Sequence, residues 1–120
     1  MSAADQTYDF VCFTDLVYEF SHTDKKKIEQ KIKRRLKYHK LGAYDQEKVE
    51  YIRRLKDELQ KDLSDTANST YYHRSGTGYA ELSDFDTGKM TDDFHRGYNK
   101  INKDELKAMI DFAVYIYHLR

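Results

Sequence analysis

Nine of the seventeen residues from Asp24 to Lys40 are cations: Lys25, Lys26, Lys27, Lys31, Lys33, Arg34, Arg35, Lys37 and Lys40. Only Asp24 and Glu29 oppose them, so this stretch carries a net +7 in a chain whose formal charge is zero. Such a set binds; it does not make or break bonds. Clustered cations attract phosphate backbones through counterion release and need no base-specific contact to do so. They can equally dock on an acidic protein surface, or stand solvated and balanced by the acids of neighbouring elements. Ile28, Ile32 and Leu36 recur at i, i+4 and i+8 within the same stretch, the spacing of a narrow apolar stripe on a helix. Most of the circumference is left positive, which makes Lys27, Lys31, Lys33, Arg34, Arg35 and Lys37 candidate binding residues.

A second group combines rings with a cation. Tyr71, Tyr72, His73, Arg74 and Tyr79 flank Ser75-Gly76-Thr77-Gly78. Exposed tyrosines of this kind stack on unpaired bases or anchor a protein interface, so Tyr71, Tyr72 and Arg74 join the candidate set. The alternative is that alternate tyrosines lay one face of a weak hairpin onto the helices. The Ser-Gly-Thr-Gly run is no phosphate loop, because no Lys-Ser/Thr follows it and no helix starts there.

Arg34-Arg35-Leu36-Lys37-Tyr38-His39 contains an Arg and a His five positions apart. That spacing resembles the Arg-x4-His motif of HEPN-type ribonucleases, small helical domains that use it across a dimer. The resemblance spans six residues and implies that Arg34 and His39 would act together on a scissile phosphate and its 2′-hydroxyl. The polar residue that usually follows the Arg is here Arg35, and His39 also continues the Ile28/Ile32/Leu36 stripe.

Other constellations fail on spacing. Asp84, Asp86, Asp92 and Asp93 lack the bidentate Glu of a calcium loop and read as turn acids and a helix cap. The histidines at 22, 39, 73, 95 and 118 fall one to an element, with no H-x3-H or HExxH pair, so neither a metal nor a cofactor is expected. Cys12, alone of its kind, excludes an internal disulfide and reads as a small apolar residue beside a core face. No apolar run approaches the roughly 20 residues that cross a bilayer, and the acidic first twenty residues hold no basic leader, so the expected location is cytoplasmic.

The elements that must position these groups are helical. There is no proline to interrupt a helix, and 35% of the 120 residues are charged, of both signs. Leu, Ile, Val and Phe total 25, a thin supply that eleven tyrosines supplement with rings whose hydroxyls stay wet. One domain over 1–120 is expected. Phe10, Phe13, Leu16, Val17 and Phe20 share a face at 3.6 periodicity, predicting a helix over roughly 4–20. Ser21 and Asp24 resemble a capping box for the basic helix, which should stop at Leu41-Gly42. Asp45 caps the next helix, with Tyr44 and Val49 as its hydrophobic staple and Val49, Ile52, Leu55, Leu59 and Leu63 on one face. The short connection makes 24–63 an antiparallel helical hairpin.

Helical periodicity then disappears, and 70–83 reads as a small β-hairpin around the Gly-containing turn. Thr91 caps a short helix over Asp92 to Lys100. Asn102, Glu105, Ile101 and Leu106 supply the capping box and staple of the last helix. From Leu106 to Leu119 its apolar residues cover more than half the circumference, more than one small core readily covers, which points to a homodimer or larger assembly.

These readings combine into an all-α fold of four to five helices with one small β-hairpin. The leading function is non-enzymatic: a binding or regulatory protein whose basic helix at 25–40 contacts nucleic acid or a protein that handles it. Second comes a protein-interaction module or inhibitor that docks on an acidic protein surface. A HEPN-like, metal-independent ribonuclease is third.

Overall fold

The computed structural model describes residues 7–20, 24–73 and 82–119. Its elements are helical: α1 (Tyr8–Leu16), α2 (Lys25–Tyr38), α3 (Gln46–Ser64), α4 (Thr87–Gly97) and α5 (Lys103–Val114). A 3-10 turn spans Leu82–Asp84, and a π-helical turn at Tyr115–Leu119 continues α5. The chain divides into two compact units, Met1–Lys56 and Asp57–Arg120, and the boundary falls inside α3.

In the first unit, Thr7 starts α1 by accepting the Phe10 N–H on its Oγ1 at 3.2 Å. Val11, Cys12, Phe13, Leu16 and Val17 are buried, and they share the core with Ile28, Ile32 and Leu36 of α2 and Val49, Ile52 and Leu55 of α3. Burial pushes the Cys12 thiol up to about 12, so it stays a neutral core residue. The helix expected over 4–20 is shorter than that. It ends at Leu16, and Phe20, expected on the apolar face, is 62% exposed. Polar groups draw the chain out of the helix there. The Glu19 carboxylate is bound by Arg53, its carbonyl accepts from Lys56 Nζ at 3.2 Å, and the Phe20 N–H donates to Asp24 Oδ2 at 3.2 Å. Asp24 therefore spends its side chain backwards and makes no cap bond to α2; Ser21, its expected partner in the capping box, lies outside the described residues.

A Schellman arrangement closes α2. Leu41 N–H donates to Leu36 O at 3.0 Å and Lys40 N–H to Lys37 O at 3.2 Å, around Lys40 at φ 55°. The left-handed position thus falls on a lysine, two residues before the glycine that should have taken it. Gly42 follows at φ 116°. The Tyr8 hydroxyl pins this connection by donating to Ala43 O at 2.9 Å and accepting the Asp45 N–H at 2.7 Å. Asp45 Oδ1 caps α3 through the Glu47 and Lys48 N–H groups. The antiparallel hairpin expected over 24–63 does not form as a closely packed helix pair; the helix packed closely on α2 is α1. Tyr44 donates to Glu29 at 3.1 Å and Lys25 Nζ lies 3.8 Å from Glu50, so α3 begins opposite the first turns of α2 rather than opposite its end.

In the second unit, Leu59 and Leu63 of α3 join a core of Phe85, Met90, Tyr98, Ile101, Leu106, Met109, Ile110, Ala113 and Val114. Asn102 Oδ1 caps α5 through the Asp104 and Glu105 N–H groups, at 2.9 and 3.3 Å. Only Tyr115 remains exposed among the large apolar side chains of α5 and the turn that follows, so most of its wide apolar face is covered. Helix α4 starts five residues before Asp92, where it was expected with Thr91 as its cap. Asp86 is the stronger cap, taking the Lys89 N–H at 3.0 Å, while Thr91 is buried within the helix with its hydroxyl on Thr87 O at 2.7 Å.

The small β-hairpin expected at 70–83 is not supported: there is no strand among the described residues. Tyr72 and Phe85 form one antiparallel bridge, with His73 N–H on Asp84 O at 2.7 Å and Asp86 N–H on Tyr71 O at 2.9 Å. Leu82, expected in the second strand, sits in the 3-10 turn, and Arg74 through Glu81 lie outside the described residues. Two isolated strands are marginal in water. Pairing persists where it buries Phe85 against Tyr72, their ring centroids 5.3 Å apart.

Leu55 and Leu59 are both fully enclosed, one in each unit. Leu55→Ala and Leu59→Ala should each cost about 2–5 kcal/mol in urea unfolding. A loss below about 0.5 kcal/mol, the range of ordinary surface substitutions, would show that the α3 stripe is not core.

Candidate functional site

An α-helix turns about 100° per residue, so the buried Ile28, Ile32 and Leu36 sort the cations of α2 into those beside the core and those opposite it. Arg35 lies beside it. Its Nη1 donates to Asp15 Oδ1 at 2.6 Å and to Thr14 Oγ1 at 3.0 Å. Asp15 is 1% exposed and its Oδ2 finds no hydrogen-bond partner among the described residues, so Arg35 carries most of the compensation for that buried carboxylate. Lys31 adds a weaker share from 3.6 Å and lies over the Tyr18 ring. On the other flank Lys25 pairs with Glu50, and Lys33 covers the Tyr44 ring at 4.9 Å. A second clamp reaches from α3 to the segment after α1: Arg53 binds Glu19 through two nitrogens, at 2.8 and 3.0 Å, and also bonds Glu50.

The remaining cations point away. Lys26, Lys27, Arg34 and Lys37 are exposed and have no ion pair or hydrogen-bonded side-chain partner among the described residues. With Gln30 between them they occupy an arc of about 100° opposite the buried stripe and extend over about 16 Å of helix axis. Lys26 and Lys27 stand in the first turn, where the helix dipole disfavours cations.

The predicted site residues therefore separate. Lys27, Arg34 and Lys37 form the outer face, Lys31 and Lys33 flank it over aromatic rings, and Arg35 belongs to the fold. Tyr71 and Tyr72 lie in the second unit and serve it. The Tyr71 hydroxyl donates to Asp93 at 2.9 Å, and burial together with that bond pushes its pKa up to about 12. Tyr72 packs against Phe85 and His118. Arg74 lies outside the described residues.

Arg34 and His39 diverge. Five helical residues turn a side chain through about 140°, and His39 is the half-buried C-cap, its ring edge-on to Tyr38. The four aspartates also scatter: Asp84 to His118 at 2.9 Å, Asp86 to its cap, Asp92 to Lys103 at 2.6 Å and Asp93 to Tyr71. Among the described residues no group of His, Cys, Asp or Glu gathers that could hold a metal ion. No helix among them is long and apolar enough to cross a membrane.

Sequence reasoning passed over Tyr38. Its ring is 81% exposed, the most of any large hydrophobic side chain described, and it stands one turn beyond Arg34 on α2. The signal was its place off the Ile28/Ile32/Leu36 stripe.

Compared with known proteins, the chain matches no family model, no curated protein and no solved structure.

The neighbours Arg34 and Arg35 should separate in a stability measurement. Arg35→Ala leaves Asp15 buried with only Lys31 near it and should cost about 3 kcal/mol in urea unfolding, while Arg34→Ala should stay within about 0.5 kcal/mol of the parent. Equal losses would contradict the division into inward and outward cations.

Proposed function

We propose that this protein is a non-enzymatic nucleic-acid-binding protein that holds the phosphate backbone on the outer face of α2. One observation carries the reading: Lys26, Lys27, Arg34 and Lys37 share an arc of the helix and have no intramolecular counter-charge among the described residues. The cations nearer the core already meet acids or rings, so the outer four are what the fold does not use.

Local energetics favour the same reading. Cations in the first turn of a helix work against its dipole, and Lys26 and Lys27 repay that cost with no contact of their own. A phosphate near this end would meet lysine charges and the dipole acting in one direction. A backbone-directed surface of this kind discriminates little between base sequences, and its affinity falls steeply with salt.

The test replaces Lys26, Lys27, Arg34 and Lys37 together by Gln and measures anisotropy of a labelled mixed-sequence oligonucleotide. The wild type should bind at low salt and the variant at least about tenfold more weakly, with an unchanged circular dichroism spectrum. Undiminished binding by a folded variant would place the site elsewhere. Binding of polyglutamate but not of oligonucleotide would transfer the face to an acidic protein partner. RNA cleavage that survives chelator but not His39→Ala would make the chain a ribonuclease.

A further inference from the structure

We infer that the nucleic acid held on α2 is single-stranded, and that Tyr38 is the platform on which one unpaired base stacks. The inference rests on the proposed function and specifies its ligand.

Four observations point this way. The ring is 81% exposed, so it adds almost nothing to the core. Among the described residues its one ring contact is with His39, edge-on at 5.0 Å between centroids and 89° between planes, which leaves a face open. Tyr38 lies at i+4 from Arg34, which puts their Cβ atoms about 6 Å apart on neighbouring turns, and next in sequence to Lys37. Viewed down the helix, Tyr38 lies about 40° from Arg34 and about 20° from Lys27, on the same side of α2. A ring stands at the end of the cationic arc, as a strand needs when its phosphates follow the cations and one base turns inward.

A duplex offers this ring no open base face, because its bases are stacked on one another and a side chain in its grooves meets backbone and base edges only. Unpaired bases offer a π-face, and an aromatic platform beside a cationic track is the usual means of holding them without regard to sequence. The other exposed rings lack this setting. Lys31 already lies over Tyr18, Phe20 follows the end of α1, and Tyr115 lies in the second unit.

The experiment compares a labelled single-stranded 20-mer with a duplex of the same length by anisotropy at one salt concentration, using wild type, Tyr38→Ala, Tyr38→Phe and the Lys26/Lys27/Arg34/Lys37→Gln variant. Wild type should favour the single strand. Tyr38→Ala should lose roughly ten- to hundredfold on the single strand and nothing on the duplex, while Tyr38→Phe retains both affinities. Equal losses on both ligands, or no loss on either, overturn the stacking role. If wild type binds neither ligand, the proposed function fails and this inference falls with it. If wild type binds both and only the Gln variant loses them, the cationic face stands and Tyr38 does not.

Discussion

A carboxylate with almost no access to water sets the arrangement of the first unit. Asp15 is 1% exposed, and burying a charge is tolerable only when it is paired and hydrogen-bonded. Arg35 meets it at 2.6 Å while also holding Thr14, so α1 and α2 are fixed in rotation as well as in distance. Once Arg35 faces α1, the helical repeat leaves Lys26, Lys27, Arg34 and Lys37 no choice but to face outward. The same logic operates at the end of α1, where Arg53 takes Glu19 in two hydrogen bonds and Lys56 holds its carbonyl.

The concentration of charge in α2 thus resolves into groups with different work. Arg35 compensates a buried acid, Lys25 pairs with Glu50, and Lys31 and Lys33 lie over rings. The outer four satisfy nothing within the described chain. The first unit as a whole carries a formal +4 and the second −4, so the excess survives the acids of α1 and α3. Sites that break local rules without a structural gain are where function is expected. Lysines in the first turn of α2 and a bare tyrosine at its end are two such breaks on one helix.

Elements whose start is marked by a side-chain cap and whose interior keeps one period were legible from residues alone. Asp45 and Asn102 cap α3 and α5 as their positions suggest, and the stripes of α2 and α3 are buried residue for residue. The failures have a common cause, which is competition between partners that sequence spacing cannot rank. Phe20 keeps the period of α1, yet Arg53, Lys56 and Asp24 bind the backbone and acid around it more strongly than one more turn of helix would. Thr91 has the side chain of a cap, but Asp86, five residues earlier, takes that role and the helix runs on through Gly88. Among the described residues the pairing near 70–83 is one bridge, from Tyr72 to Phe85, a residue beyond the expected hairpin whose ring is buried. At the candidate site, the cations were evident in the sequence but their division was not, since it depends on where Asp15 and Glu50 lie in space.

The central claim is that four of the eight cations of α2 are available to a phosphate backbone, and the salt dependence of binding counts them. For single strands, log K falls against log salt with a slope of about −0.7 per phosphate neutralised, so four contacts predict a slope of about −2.8. Each removal among Lys26, Lys27, Arg34 and Lys37 should flatten it by about 0.7. A slope near zero would contradict electrostatic binding by this face. A slope near −5.6, the value for all eight cations of α2 at about −0.7 each, would show that Arg35 and its neighbours also reach the ligand and that the division drawn from Asp15 is wrong.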